Sequence, residues 1–129
     1  MGLLSGLMGN AGVVPVDELN QNYGNLLIEN EQIEVGFIVI RDTFVFTNKR
    51  LILVDIQGIT GKKVEYLSVP YSNITKFSVE TAGSFDLDAE LKIWVGSDTT
   101  PIQKKFNKKV SIYDLQKVLS NYVLGERSN

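Results

Sequence analysis

The stretch that decides the fold is Arg41 to Ile56, RDTFVFTNKRLILVDI, in which two apolar runs flank the polar residues Thr47-Asn48-Lys49-Arg50. Both runs are rich in β-branched and aromatic side chains, which favour strands. A short turn containing Asn and Lys allows neighbouring strands to reverse and pair. The stretch therefore predicts an antiparallel β-hairpin within a mainly β domain, and it carries no catalytic motif.

The composition is that of a soluble single domain. The chain has 129 residues, of which 43% are hydrophobic and 22% are charged, so one compact core is expected. It contains no cysteine and no histidine, which excludes disulfides, a thiolate nucleophile, Cys-ligated metal and a histidine base. We therefore predict a non-catalytic protein of a reducing compartment, the cytoplasm, that needs no cofactor.

One acidic run is a candidate metal site. Asp86, Asp88 and Glu90 alternate along a predicted strand and would point to one side, where their oxygens could hold a hard cation. The apolar residues between them occupy the opposite side, which favours an ordinary solvated strand face. No glycine-rich phosphate-binding motif occurs, and we predict no metal site.

The first twelve residues, MGLLSGLMGNAG, contain an apolar patch of Leu3, Leu4, Leu7 and Met8. The patch lacks a basic flank and is too short to span a bilayer, so it is neither a signal peptide nor a membrane helix. Gly6 stands where the N-myristoylation pattern requires Ser or Thr. We expect the patch to pack on this domain or on a neighbouring subunit, with disorder as the alternative.

A helix is predicted from Val16 to about Glu29. Pro15 suits a helix start, and Asp17 and Glu18 complement the positive end of the helix dipole. One face of this segment is apolar, and it would pack on a sheet or on a partner. The residues of that face are Val16, Leu19, Tyr23 and Leu26.

Seven strands and a second helix are predicted after Glu31, because apolar alternation is broken at regular intervals by Gly, Asn, Asp or Pro. The strands are Gln32 to Ile40, Thr43 to Thr47, Leu51 to Ile56, Lys62 to Val69, Ile74 to Glu80, Asp88 to Val95 and Ile102 to Phe106. The helix has Ser111 as its N-cap and ends before Gly125. Regular short strands indicate a barrel or a sandwich.

This order of elements resembles the pleckstrin-homology fold, and two segments resemble its bacterial branch. They are RDTFVFTNKRLILVD and VPYSNITKFSVETAGSFDLDAELKIW. The resemblance implies a partly open seven-stranded antiparallel barrel over residues 31–125, capped by a C-terminal helix. It also implies an N-terminal helical extension over 1–30 and assembly into ring-like homo-oligomers of undefined cellular role. We predict that residues 126–129 form a disordered tail.

The best-known members of the wider superfamily bind inositol phospholipids through basic residues between their first two strands. In this chain that loop offers only Arg41, which is followed directly by Asp42. A multiply charged headgroup needs several converging donors. We therefore do not expect phosphoinositide binding, and pairing of Arg41 within the domain is the favoured role.

A basic cluster near the C-terminus offers an alternative function. Lys104, Lys105, Lys108 and Lys109 would support weak, salt-sensitive contact with anionic lipid, at about 1 kcal/mol for each lysine. Lysines at a strand end also serve as a solvated edge that prevents unwanted pairing. The pI near 5.1 opposes nucleic-acid binding.

The charge distribution favours self-association as the leading hypothesis. Residues 1–40 have no Lys or Arg and a charge of −5, so the remainder must carry +3 to give the net −2. The two oppositely charged parts would meet between subunits, as in a ring, or within one monomer. Binding to an unknown protein partner is a further alternative. Tyr71 and Trp94 are candidate interface aromatics, with burial in the barrel as the alternative. The acidic residues are Asp17, Glu18, Glu29, Glu31 and Glu34.

Overall fold

A computed structural model describes residues 12–39, 42–81, 89–106 and 112–125. The first helix, α1, is Val16–Tyr23 and is followed by a 3-10 turn, Gly24–Leu26. Seven strands follow: β1 Ile33–Val39, β2 Asp42–Thr47, β3 Arg50–Gln57, β4 Lys63–Pro70, β5 Ile74–Glu80, β6 Ala89–Val95 and β7 Ile102–Phe106. A second 3-10 turn, Tyr71–Asn73, joins β4 to β5, and helix α2 is Ile112–Leu124.

The strands form two antiparallel sheets, ordered β1-β2-β3-β4 and β5-β6-β7. The predicted partly open seven-stranded barrel is therefore confirmed, and the predicted strands β5 and β7 have the observed bounds. The predicted domain limits stay predictions, because residues 1–11 and 126–129 lie outside the described residues. Within the described ranges, no helix is long and apolar enough to cross a membrane.

The predicted helix end at Glu29 is wrong. Helix α1 stops at Tyr23, and Leu27 already has an extended backbone. Gly24 follows the helix, and glycine is a poor helix former. The carbonyl of Leu26 also accepts a hydrogen bond from the Arg50 guanidinium, 2.7 Å away, which holds this segment against the sheet.

The decisive stretch forms the β2-β3 hairpin around Asn48 and Lys49. The Thr47 hydroxyl oxygen accepts hydrogen bonds from the backbone N–H groups of Lys49 and Arg50, at 3.0 and 2.9 Å. The Asn48 side chain joins this turn to the preceding loop, because its oxygen accepts from the Gln32 N–H at 2.8 Å. The polar residues therefore close the turn and connect it to the start of β1.

Strands β2 and β3 are apolar on both faces because both faces are covered. Inward side chains such as Phe44 and Leu51 belong to the core between the sheets, which α2 closes with Leu115 and Leu119. Outward side chains form a second core on the four-stranded sheet beneath α1. That second core contains Val45, Ile52, Val54 and Leu19. The continuous apolar run in the sequence thus reflects two-sided burial.

Gly36 of β1 allows α1 to approach the sheet. A Cβ at this position would lie 2.6 Å from Leu19 Cδ1 and 3.2 Å from the Phe44 carbonyl oxygen. We expect Gly36→Ala to lower the free energy of unfolding by about 1–3 kcal/mol, the usual cost of overpacking. Urea denaturation measures the change. Gly24→Ala is the control, since nothing lies within 4 Å of its Cβ, and an equal loss in both variants would contradict the explanation.

Residues 12–14 lie along the edge of β1 that β2 leaves open. The Val14 N–H donates to the Gly36 carbonyl at 2.9 Å, and the Ile38 N–H donates to the Gly12 carbonyl at 2.8 Å. Val13 bridges Phe37 in antiparallel pairing. The segment therefore covers a strand edge that would otherwise be open to pairing.

Candidate functional site

A buried ion pair lies where the hairpin meets the segment after α1. The Glu31 side chain is 0% exposed, and its Oε2 lies 2.8 Å from Arg50 Nε. Arg50 Nη2 donates to Glu31 Oε1 at 3.0 Å, and the Thr47 hydroxyl donates to Oε2 at 2.7 Å. The Ile28 N–H completes the set at 3.0 Å from Oε1. The carboxylate is thus fully hydrogen-bonded within the chain.

The environment of Glu31 lowers its pKa. Burial acts to raise the pKa, but hydrogen bonds from Arg50, the Ile28 N–H and Thr47, with the Arg50 charge, lower it from 4.5 to about 2. Arg50 also donates to the Leu26 carbonyl and, at 2.8 Å, to Ser68 Oγ on β4. This cluster therefore joins three segments of the chain and has a structural role.

The Glu31–Arg50 pair was not predicted from the sequence. Glu31 was assigned only to an acidic run, and Arg50 only to a turn. Glu31 and Arg50 are 19 positions apart, and no motif of fixed spacing links them in the sequence. The available signal was that Glu31 directly precedes an apolar strand, where a carboxylate needs a partner.

A second charged cluster connects the two sheets. Lys104 Nζ on β7 lies 2.8 Å from Asp42 Oδ2 on β2 and 3.2 Å from Asp55 Oδ2 on β3. Burial acts to lower the pKa of Lys104, but the Asp42 and Asp55 carboxylates raise it. Burial likewise acts to raise the pKa of Asp55, and Lys104 lowers it. The charge of Lys104 is therefore compensated, and one carboxylate charge of the cluster is left in excess.

Lys104 consequently does not extend the predicted basic cluster. Its side chain points between the sheets towards the two aspartates. Every second residue of β7 faces this inner side, namely Ile102, Lys104 and Phe106. Lys105 is exposed on the other side of the strand. Lys108 and Lys109 lie outside the described residues.

A small recess opens beside Lys104. It has a volume of about 140 Å³. Three of its lining residues are aliphatic and three are charged: Leu53, Leu67, Ile102, Asp55, Glu65 and Lys104. Pockets for drug-sized ligands measure roughly 300–1,000 Å³, so the recess suits one or two side chains better than a cofactor.

Tyr71 lies in the core. It is 4% exposed, and its hydroxyl lies 2.6 Å from the Thr47 carbonyl oxygen and 2.8 Å from that of Arg50. Its ring stacks on Tyr122 of α2, which in turn stacks on Phe46. The Tyr122 hydroxyl donates to Glu34, and burial is the main reason that the pKa of each tyrosine is raised. Tyr71 therefore offers little surface to a partner.

Trp94 lies on the outer side of the three-stranded sheet and is partly exposed. Lys76 Nζ on β5 sits 4.7 Å from the centre of its ring, a cation–π contact. Lys92 shares this outer side, because side chains two residues apart on a strand point the same way. Lys105 shares it as well, because Lys105 pairs with Glu90, which lies two residues before Lys92 on β6. We call Lys76, Lys92, Trp94 and Lys105 the basic face, although Glu80 and Glu90 lie on the same side of the sheet and reduce its positive charge.

The remaining candidate residues from the sequence lie on α1 or outside the described residues. Asp17 and Glu18 are exposed in the first turn of α1, and no ion pair among the described residues involves them. Leu3, Leu4 and Leu7 lie outside the described residues, as do Asp86 and Asp88. Across the described ranges, no three acidic, His or Cys side chains converge as a metal site would require.

Two sheets forming an open barrel with a C-terminal helix across it define a module of pleckstrin-homology type. The model of the bacterial PH domain family matches residues 2–123, and the chain belongs to this family.

Relatives of this chain from Bacillus subtilis (strain 168) include two uncharacterized proteins. The uncharacterized protein YjqA is 53% identical over 121 residues, covering 93% of this chain and 97% of YjqA. The uncharacterized protein YozO is 35% identical over 98 residues, covering 76% of this chain and 83% of YozO.

Similar solved structures include the following two. The pleckstrin homology domain from Shewanella amazonensis SB2B has a TM-score of 0.82 and 46% identity, and the match covers 96% of this chain and all of that one. A protein with a pleckstrin-homology domain from Shewanella loihica PV-4 has a TM-score of 0.76 and 53% identity, covering 89% of this chain and 98% of that one.

Proposed function

We propose that this protein is a non-catalytic cytoplasmic module that associates with copies of itself, head to tail, into a ring-like homo-oligomer. The contact joins the acidic start of α1, with Asp17 and Glu18, to the basic face of a neighbouring copy. The observation that carries the proposal is the placement of these two surfaces on the outer sides of different sheets.

The placement matters because the outer sides of two packed sheets point away from each other. One molecule cannot join its own acidic helix to its own basic face. A contact between two different patches is heterologous, and it generates rings when the rotation between subunits closes. Head-to-tail contact therefore brings the acidic start of α1 and the basic face of every subunit against opposite charges of its neighbours.

The charges that take part are those that the fold leaves accessible. Glu31 and Lys104 are compensated within the chain by Arg50 and by the two aspartates. Asp17, Glu18 and Glu29 remain exposed on the acidic side, and the lysines of the basic face remain accessible on the other. Attraction between these surfaces supplies orientation and is weakened by salt.

Light scattering on a sizing column tests the association. We expect a mass several times the 14.4 kDa of one chain at low salt, and a smaller mass as salt is raised. The double variant Lys76→Glu, Lys92→Glu should reduce the mass to that of one chain at low salt. Adding Asp17→Lys and Glu18→Lys should restore association, because the attraction is then reversed in sign.

The matched control is Lys63→Glu, Lys117→Glu, which changes the net charge equally at exposed lysines on β4 and α2. This control should keep the mass of the unaltered protein. A monomer at both salt concentrations, or equal dissociation of the control and the basic-face variant, would refute head-to-tail contact.

A second candidate function uses the same face. Trp94 beside Lys76, Lys92 and Lys105 resembles the combination of aromatic ring and basic side chains that suits an anionic membrane surface. Co-sedimentation with vesicles containing phosphatidylserine distinguishes membrane binding from self-association. Salt-sensitive binding that is lost in Lys105→Glu, Lys108→Glu would favour this candidate, and no binding to these vesicles supports self-association alone.

A further inference from the structure

Strand β4 forms an open edge of the four-stranded sheet. Across the described residues it pairs with β3 alone, and that pairing runs over its whole length without a register shift. All of its residues are exposed except Val64, which is half-buried, and Val69, which is buried. Alternate residues of such an edge direct their backbone N–H and C=O groups away from the sheet. The edge is therefore a template on which a further strand can pair.

The other strand edges in the described part of the chain are less suited to pairing. Residues 12–14 already cover β1. Strand β5 has a register shift between Ile74 and Lys76, and β7 has only five residues, two of which are lysines. Irregular register, shortness and lysine are the means by which proteins commonly block an edge. Strand β4 is long and regular by comparison, so it is the edge that remains available.

Strand β4 also exposes apolar side chains on both of its sides. Tyr66 is 48% exposed on the outer side, where its ring contacts Tyr23 of α1 edge-on. Leu67 is 38% exposed on the inner side, where it lines the recess with Leu53 and Ile102. A strand added beside β4 would cover Tyr66 and Leu67, and burial of apolar surface favours association.

The charges around the recess favour a cationic occupant. Asp42 and Asp55 hold Lys104, and Glu65 adds a third carboxylate that takes part in no ion pair within the described ranges. Lys63 lies on the same side of β4 as Glu65, but it does not line the recess. Even when both lysines are counted, the three carboxylates leave an excess of one negative charge. An anionic group is therefore repelled here and a cationic group is attracted.

The recess suits the side chain of a lysine or an arginine. Its volume of about 140 Å³ holds one or two side chains. Leu67 and Ile102 offer aliphatic surface to the methylene groups of a long basic side chain, whose charged end is hydrogen-bonded by carboxylates. In an added strand, the residue opposite Glu65 has its Cβ roughly 5 Å from that of Glu65. A basic residue there can place its charge beside Glu65 while its stem covers Leu67.

We propose that β4 and the adjoining recess bind an extended peptide segment of another protein, which pairs with β4 as a further strand and places a lysine or arginine side chain opposite Glu65. The residue two positions along the segment lies opposite Leu67 and is apolar. The inference goes beyond self-association and does not depend on it, because neither the acidic start of α1 nor the basic face takes part.

Selection from a library of phage-displayed peptides, with the purified protein as bait, tests the proposal. We expect the enriched sequences to share a lysine or arginine two residues from an apolar residue. The most enriched sequence, synthesised with a fluorophore, should bind Glu65→Lys about tenfold more weakly in fluorescence anisotropy, because like charges then face each other. Glu65 is exposed, so this variant is expected to fold.

The matched control is Asp98→Lys, which changes the charge equally at an exposed position between β6 and β7. This control should bind the peptide as the unaltered protein does. Equal weakening in the two variants would mean that the peptide responds only to net charge, and it would overturn the proposal. Failure to enrich any sequence, or enrichment of sequences without a basic residue, would overturn it as well.

Methylation of the peptide backbone tests whether the segment pairs as a strand. Only alternate N–H groups of an added strand face β4. We would compare two versions of the peptide, N-methylated at the odd or at the even positions. One version should lose binding and the other should keep it, and equal affinities would overturn strand pairing.

Light scattering on Glu65→Lys tests a second copy of this chain as the occupant. The mass should equal that of the unaltered protein. A lower mass would mean that a neighbouring copy covers β4, and it would overturn binding of another protein there. Head-to-tail contact is tested by the variants at Lys76, Lys92, Asp17 and Glu18, so the two proposals are decided separately.

Discussion

Replacing Arg50 by methionine is expected to lower the free energy of unfolding by about 3 kcal/mol. The guanidinium is hydrogen-bonded to both oxygens of Glu31, to the Leu26 carbonyl and to Ser68 Oγ. Without it, Glu31 keeps a charge in a site where its side chain has no exposed surface. Removing one partner of a buried ion pair typically costs about 3–5 kcal/mol, and the partial exposure of Arg50 favours the lower end.

Guanidinium chloride or urea denaturation at neutral pH measures this loss. Lys49→Met is the matched control, since Lys49 is the exposed neighbour of Arg50 in the same hairpin and carries the same charge. We expect the control to change stability by less than about 0.5 kcal/mol. Similar values for the two variants would mean that the Glu31–Arg50 pair contributes no more than a surface charge.

The stabilisation by Glu31 is expected to disappear in acid. Its folded pKa of about 2 lies below the unfolded value of 4.5, so the unfolded chain binds the proton first as pH falls. The contribution is therefore fully present above pH 4.5 and is lost as the pH approaches 2. The difference between the two pKa values corresponds to about 3 kcal/mol at neutral pH.

Comparing the protein with Glu31→Gln isolates this contribution from those of other carboxylates. The free energy of unfolding of the variant should be about 3 kcal/mol lower at pH 6, and the difference should fall below about 1 kcal/mol near pH 2. Glu29→Gln is the control, because Glu29 is exposed two residues away. A difference for Glu31→Gln that is constant between pH 6 and pH 2 would refute the assigned role of its charge.

Much of the fold could be predicted because the strands are short and clearly delimited. Ile74–Glu80 and Ile102–Phe106 have the predicted bounds, and α2 follows its apolar periodicity from Ile112 to Leu124. The first helix was predicted too long. Its apolar spacing continues to Leu26, but the contact of the Leu26 carbonyl with Arg50 depends on a residue 24 positions away.

The residues of the candidate site were harder to predict from the sequence, because their side-chain partners come from distant parts of the chain. Lys104 and Lys105 look equivalent as neighbours in a lysine run. On β7 they point to opposite sides, and Lys104 meets Asp42 and Asp55, which lie 62 and 49 positions away. Alternation predicts that two adjacent side chains diverge, but only the packing of the sheets identifies the inner one.

The amino-acid pattern by itself determined an antiparallel β module with an amphipathic C-terminal helix and without histidine or cysteine chemistry. These properties depend on local periodicity and on composition, which are read directly from the chain. Tertiary structure alone decided which charges are compensated within the chain and which remain exposed. Glu31 and Lys104 are neutralised within the fold, whereas Asp17, Glu18 and the basic face stay accessible, because burial and pairing arise only when distant segments meet.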